Sequence, residues 1–331
     1  MTTIGNTLCV SEKNIHQINE KNKTGDCMSW FNGLVIRGIP VIPKPIVGKI
    51  ASTYVAGEKL SDAVSKVIKL NEIGAVATLD LLGEHCSSAE DALSAAKTYH
   101  SILEAIHKHK LDSNVSLKLT HLGLKINYDM CLNHIKDIVV NAKEHSNFVR
   151  IDMEDHTCTD DTLKIFKTIR KDHDNVGVVL QAYLRRTIRD IDSLMDMKAN
   201  LRLCKGIYNE PRFICYKNRN IIINNFGHLL KKLLKAGCYV GIATHCEETV
   251  WKALKVIDKL NLRRDQYEFQ MLLGVDPELR DILLDAGHKL RIYVPYGSEW
   301  YAYSTRRLKE NPELAGSIAR NFLGLSNFGH S

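Results

Sequence analysis

Near the C-terminus the chain reads YSTRRLKE, residues 303–310. At about 100° per residue, Tyr303, Arg306, Arg307 and Glu310 fall on one face of a helix. Two adjacent guanidiniums beside a phenol can hold a carboxylate or phosphate through paired hydrogen bonds. The competing reading is a solvated face on which Glu310 pairs with an arginine, an interaction worth little. Further charged and polar residues stand at the ends of short apolar runs. They are Asp80 with Glu84, Lys118 with Thr120, Asp152 with Glu154, and Gln181 with Tyr183. Arg202 with Lys205, Thr244 with His245, Glu268 with Gln270, and Tyr293 complete the set. The cations Lys118, Arg202, Lys205, Arg306 and Arg307 outweigh Glu84, Asp152 and Glu310, which predicts an anionic substrate or cofactor.

These residues need a scaffold that gathers strand ends. From residue 75 onward, β-branched runs alternate with longer amphipathic segments. The strand-like runs are 75–81, 115–120, 148–153, 176–183, 201–206, 238–244, 267–272 and 290–295. Helical patterns lie between them, and Gly237 and Gly287 stand where helix C-termini favour glycine. Eight such units predict an α/β fold, a (β/α)8 TIM-type barrel, whose active site is built at the C-terminal strand ends. A doubly wound sheet is the alternative, but G-x-G-x-x-G after the first strand and G-x-x-x-x-G-K-[ST] are both missing. Residues 1–55 read as an N-terminal arm with a helical pattern following at 58–74, and 56–331 as the catalytic barrel.

Composition narrows the function. The chain has 331 residues and a net charge of +7, with no block of like charges, so nucleic-acid binding is not expected. Nine cysteines are scattered without C-x-x-C, which reads as buried thiols in a reducing compartment. No H-E-x-x-H or comparable spacing predicts a metal. The run 155–161, DHTCTDD, reads as a helix N-terminus capped around Thr159, Asp160 and Asp161. No apolar run is long enough to span a membrane, and no secretion signal is read. Three classes remain open on the residues alone. One is an oxidoreductase holding a phosphate-bearing cofactor at the barrel mouth. Another is a Schiff-base lyase using Lys118 or Lys205. The third is a non-catalytic barrel that binds an anion or a membrane surface.

Nine segments, in order, resemble the FAD-dependent proline dehydrogenase family. LRLCKGIYNE (201–210) is similar to the family's R-L-V-K-G-A-Y-x-E, and YSTRRLKE to Y-x-x-R-R-L-x-E. The others are LDLLGE (79–84), SLKLTHLGL (116–124), RIDME (150–154), QAYLRRT (181–187), ATH (243–245), YEFQMLLG (267–274) and RIYVPYG (291–297). The resemblance extends over roughly residues 55–312 and leaves out the first ~50. It implies oxidation of L-proline to Δ1-pyrroline-5-carboxylate, with hydride passing from ring C5 to FAD N5 and electrons then to a membrane quinone. The length suits the single-function form.

The same resemblance implies roles. Arg306, Arg307 and Lys118 would hold the substrate carboxylate, and Asp152 would balance Lys118. Tyr293, Tyr303, Tyr208 and Leu203 would wall the ring, with Glu84 in a closing loop. Arg202, Gln181 and Cys204 would meet the flavin, with Lys205, Thr244, His245 and Glu310 about the rest of the cofactor site. Cys204 and Ile207 depart from the family's usual Val and Ala, and His121 from a common Gln. Tyr293 favours proline over hydroxyproline, because relatives preferring hydroxyproline tend to carry a smaller residue there. No general base stands out. The segment 313–324, ELAGSIARNFLG, is amphipathic; it either packs on the barrel or docks at a membrane surface. The expected location is the cytoplasm, peripheral at the inner membrane in a bacterium, or the mitochondrion in a eukaryote.

Overall fold

The computed structural model describes residue 48 and residues 51–310, with the side chains of 306–310 excepted. The arm read over residues 1–55 lies almost wholly outside the described residues, as does segment 313–324.

Helix α1 (Leu60–Glu72) leads into strand β1 (Val76–Leu81). The chain then alternates through α2 (Ala89–Lys108), β2 (Ser113–Leu117), α3 (Tyr128–Glu144) and β3 (Val149–Ile151). Next come α4 (Thr159–Arg170), β4 (Val176–Gln181), the short α5 (Thr187–Asp190) and α6 (Asp192–Met195), and β5 (Asn200–Cys204). It continues with α7 (Arg219–Lys235), β6 (Tyr239–Ala243), α8 (Glu247–Lys259), β7 (Tyr267–Leu272) and α9 (Pro277–Asp285). Strand β8 (Leu290–Tyr296) and α10 (Trp300–Glu310) end the described chain. Neighbouring strands pair in parallel, and β1 pairs with β8 from Val76↔Arg291 to Leu81↔Tyr296, closing the barrel. The eight expected strands are all present.

Local sequence explains the helices. Ser88, Asn127, Asn218 and Asp276 cap α2, α3, α7 and α9 by accepting from the third following backbone N–H, each cap contributing ~1 kcal/mol. Helix α4 starts at Thr159 as read, although its N-cap is Cys158, which makes no side-chain cap bond. Gly237 and Gly287 follow the last turns of α7 and α9 with φ of +81° and +72°. Helix α2 buries Ala92, Ala95, Ala96, Tyr99, Ile102, Leu103 and Ile106, spaced for one face.

Strand alternation sets the barrel's character. In β7, Tyr267, Phe269 and Met271 enter the apolar core, while Glu268 and Gln270 share the other face. Burying such apolar side chains contributes ~1.5–3 kcal/mol each. The interior, usually layered with branched apolar residues, carries Thr78, Asp80, Asn114, Ser116, Arg150, Arg202, Glu268 and Gln270, all buried. Strands β2 and β3 are shorter than the sequence suggests. Lys118 follows β2 and Asp152 follows β3, and the Asp152 N–H still donates to the Leu117 carbonyl at 2.9 Å.

Candidate active site

Six elements bring one polar cluster together at the C-terminal strand ends. Lys118 Nζ donates to both oxygens of Asp80, at 2.9 and 3.0 Å. Asp152, expected to balance Lys118, stands 3.9 Å from it. Its main partners are others: Oδ1 accepts from Arg202 at 2.8 Å and from Ser116 Oγ at 2.6 Å, and Oδ2 from Tyr293 Oη at 2.7 Å. Arg202 also donates through Nε to Gln270 Oε1 at 2.5 Å and lies over the Tyr293 ring, 5.2 Å from its centroid. Register explains the meeting. Asp80 pairs with Ser116, and Ser116 with Arg150, so the residues two further on, Lys118 and Asp152, rise on the same inner face.

The electrostatics correct one expectation. Lys118 and Arg202 do not present free positive charge, because Asp80 and Asp152 match them. Burial raises the Asp80 carboxyl to about 6 against the pull of Lys118, with Asp152 adding to the rise. Burial also opposes charge on Lys118, but Asp80, Asp152 and then Glu84 overcome it and raise its pKa. Burial, then the Asp152 and Asp80 charges, hold the Tyr293 phenol protonated. Burial and Lys118 lower the His121 imidazole to about 4, which leaves a neutral ring beside the cluster.

The remaining expected residues divide. Gln181 is buried at the end of β4; its amide donates to the Met153 carbonyl at 3.2 Å, and its Oε1 has no partner among the described residues. Cys204 ends β5, and burial raises its thiol to about 11. Leu203 is fully buried in the apolar core and points away from Arg202 by strand alternation, so it does not join the charged cluster. Lys205 and Tyr208 are half-buried in the loop after β5, and Ile207 between them is exposed. Thr244 Oγ1 accepts from the Cys246 N–H at 3.1 Å, and His245 Nε2 accepts from the Leu272 N–H at 2.7 Å. Glu84 lies in the loop after β1, close enough to Lys118 to raise it. Tyr303 lies on α10, as do Arg306, Arg307 and Glu310, whose side chains are outside the described residues.

The sequence model of a family described as proline dehydrogenase matches residues 63–320. The chain belongs to the proline dehydrogenase family. It is 36% identical over 273 residues to proline dehydrogenase 1 of Bacillus subtilis subsp. natto, covering 82% of this chain and 90% of that one. It is also 36% identical over 279 residues to proline dehydrogenase of Deinococcus radiodurans, covering 83% and 90%. Among solved structures, proline utilization A of Bdellovibrio bacteriovorus superposes with a TM-score of 0.77 at 23% identity. That match covers 94% of this chain and 40% of the longer protein, and it shows the fold.

Proline dehydrogenase membership covers the strands that carry the cluster. Sequence reasoning noticed Asp80 and Gln270 without seeing their place, and it did not single out Ser116. Asp80 is the near partner of Lys118, Ser116 braces Asp152, and Gln270 braces Arg202. The available signal was parity. Asp80 shares its strand face with Thr78, an inward polar residue hydrogen-bonded to Asn114.

Proposed function

We propose that the protein oxidises L-proline to Δ1-pyrroline-5-carboxylate with FAD at the C-terminal mouth of the barrel, passing electrons to a membrane quinone. Family membership supports proline oxidation. The observation that carries the reading is the joined set Lys118, Asp80, Asp152, Arg202 and Tyr293 at that end of a closed barrel.

The residues fit a flavin. The buried Gln181 Oε1 lacks a partner among the described residues, which suits a heterocyclic edge carrying N–H groups. Gln181, Arg202 and Cys204 would meet the ring system, and Lys205, Thr244, His245 and Glu310 the remainder of the cofactor. Bound FAD supplies the hydride acceptor.

The chain's own residues bind and orient the substrate. Arg306, Arg307 and Lys118 bind the carboxylate, and Tyr293, Tyr303 and Tyr208 wall the ring; Leu203, buried in the apolar core, drops out of the wall. Asp80 holds Lys118 as a constant cation, so carboxylate binding does not depend on a titrating amine. Asp152 keeps the Tyr293 hydroxyl and the Arg202 guanidinium in place together. Glu84, beside Lys118, is suited to closing the loop over the site. The raised pKa of Lys118 argues against a Schiff-base lyase at that residue, since such a nucleophile must be neutral.

The test is spectroscopic. The purified protein, supplied with FAD, should show flavin absorbance, and L-proline should bleach it without oxygen. Protein that takes up no FAD, or a flavin that L-proline leaves oxidised, overturns the reading.

A further inference from the structure

The polar interior continues to the opposite, N-terminal end of the barrel. Asn114, Arg150, Asn200, Tyr239, Glu268 and Arg291 stand at or near the starts of six strands and line a cavity of about 660 Å³. That volume is in the range of small-molecule sites. Lys110, Arg150, Lys289 and Arg291 bring four cations to its wall, against the carboxylates of Asp112 and Glu268.

Pairing inside the barrel leaves one cation over. Lys118 meets Asp80, and Arg202 meets Asp152. Arg291 meets Glu268 through Nε at 2.7 Å and Nη2 at 3.2 Å. Glu268 is already committed, accepting also from Gln270 at 2.6 Å and Tyr239 Oη at 3.0 Å. Arg150 makes no ion pair among the described residues. It donates to the carbonyls of Asn200 at 2.7 Å and Val178 at 3.3 Å, and to Asn200 Oδ1 at 2.5 Å. Its Nε has no partner among the described residues, although the residue is 2% exposed. A buried cation without a counter-charge is strongly disfavoured. Burial and the nearby Arg202 lower its pKa to about 9, so it remains charged at neutral pH.

The backbone is shaped around this guanidinium. A Cβ at Gly177 would strike Arg150 Nη1 and the Asn200 carbonyl, so only glycine admits the arrangement. At the rim, Lys289 Nζ is 3.7 Å from Glu268 and its side chain is 44% exposed, leaving it able to swing toward an incoming charge.

We propose that this cavity is a second ligand site, binding a small anion with carboxylate or phosphate groups against Arg150, with Lys289 closing the rim. The site lies at the far end of the barrel from the proposed proline pocket and does not depend on that reading.

Inorganic phosphate and succinate serve as separate probes, titrated calorimetrically into the purified full-length protein. Saturable one-to-one binding of either is expected, and the one bound more tightly identifies the anion class. Lys289→Gln should weaken it at least fivefold, and Arg150→Gln should abolish it. If Arg150→Gln does not fold, Tyr239→Phe takes its place and should weaken binding at least threefold by freeing Glu268 to compete for the cations. No saturable binding of either probe overturns the proposal. So does binding that is unchanged in Lys289→Gln or in the Arg150 or Tyr239 variant.

Discussion

Lys118 and Asp80 form a two-pronged contact, Nζ to both carboxylate oxygens at 2.9 and 3.0 Å, with the Asp80 side chain fully buried. The pair couples strand β1 to the end of β2 and sets the charge state of the ammonium. Asp80→Asn keeps the shape and removes the charge, leaving Lys118 to Asp152 at 3.9 Å. We expect kcat/KM for L-proline to fall by about 10- to 100-fold, or roughly 1.4–2.7 kcal/mol. Steady-state kinetics with flavin content measured alongside check this. An unchanged kcat/KM would remove the pair from the proposed site.

Under the proposed function, Arg306 holds the substrate carboxylate together with Arg307. Arg306→Met should raise the KM for L-proline by about tenfold or more, since a charge-assisted hydrogen bond contributes ~1.5–3 kcal/mol. Flavin binding should persist. A KM equal to the parent's removes Arg306 from the clamp.

Tyr293 donates to Asp152 at 2.7 Å and lies against Arg202. Tyr293→Ser opens space where the ring of the substrate is expected. The ratio of kcat/KM for proline to that for hydroxyproline should drop about tenfold or more, a discrimination of ~1–3 kcal/mol of the size that packing differences supply. A constant ratio refutes the selectivity role of Tyr293.

Glu268 ties stability to acid pH. Burial alone would raise its carboxyl, but Arg291, then Lys289 and Gln270, hold it at about 2, against an ordinary value of 4.5. The folded form therefore binds this proton less readily than the unfolded chain. The stabilisation is complete above about pH 4.5 and is lost as pH falls toward 2. Its size is about 3 kcal/mol. Urea midpoints from pH 6 to 2.5 should decline for the parent more steeply than for Glu268→Gln, itself destabilised by ~3–5 kcal/mol because Arg291 loses its partner. Parallel curves would refute this role for Glu268.

Gly177→Ala places a methyl group against the Arg150 guanidinium and the Asn200 carbonyl. Overpacking of this kind costs ~1–3 kcal/mol. Denaturant unfolding should show the loss. A neutral Gly177→Ala would mean that the Arg150 guanidinium and the Asn200 backbone can both give way.

Most of the architecture was legible in the chain. Gly237 and Gly287 marked two helix ends, and Asn127 and Asn218 sit at N-caps where such side chains serve. The β-branched runs located all eight strands, because parallel strands covered by helices must be apolar on their outer face. Boundaries drifted at β2 and β3, where Lys118 and Asp152 continue a strand-like pattern after the ladder has ended.

By itself, then, the sequence determined the β/α alternation, the parity that sends Asp80, Lys118, Asp152, Arg202 and Tyr293 to one face of their strands, and the family. Each of these rests on local periodicity or on ordered motifs. Only the tertiary structure decided who pairs with whom. Lys118 takes Asp80 across 38 residues, and Asp152 takes Arg202 across 50 and Tyr293 across 141. Barrel closure and register create those neighbours, and charge pairing falls off so steeply with distance in a buried site that a shift of one strand position reassigns every partner. Among the described residues the same closure leaves Arg150 without a paired carboxylate, a consequence of three-dimensional counting that no linear pattern encodes.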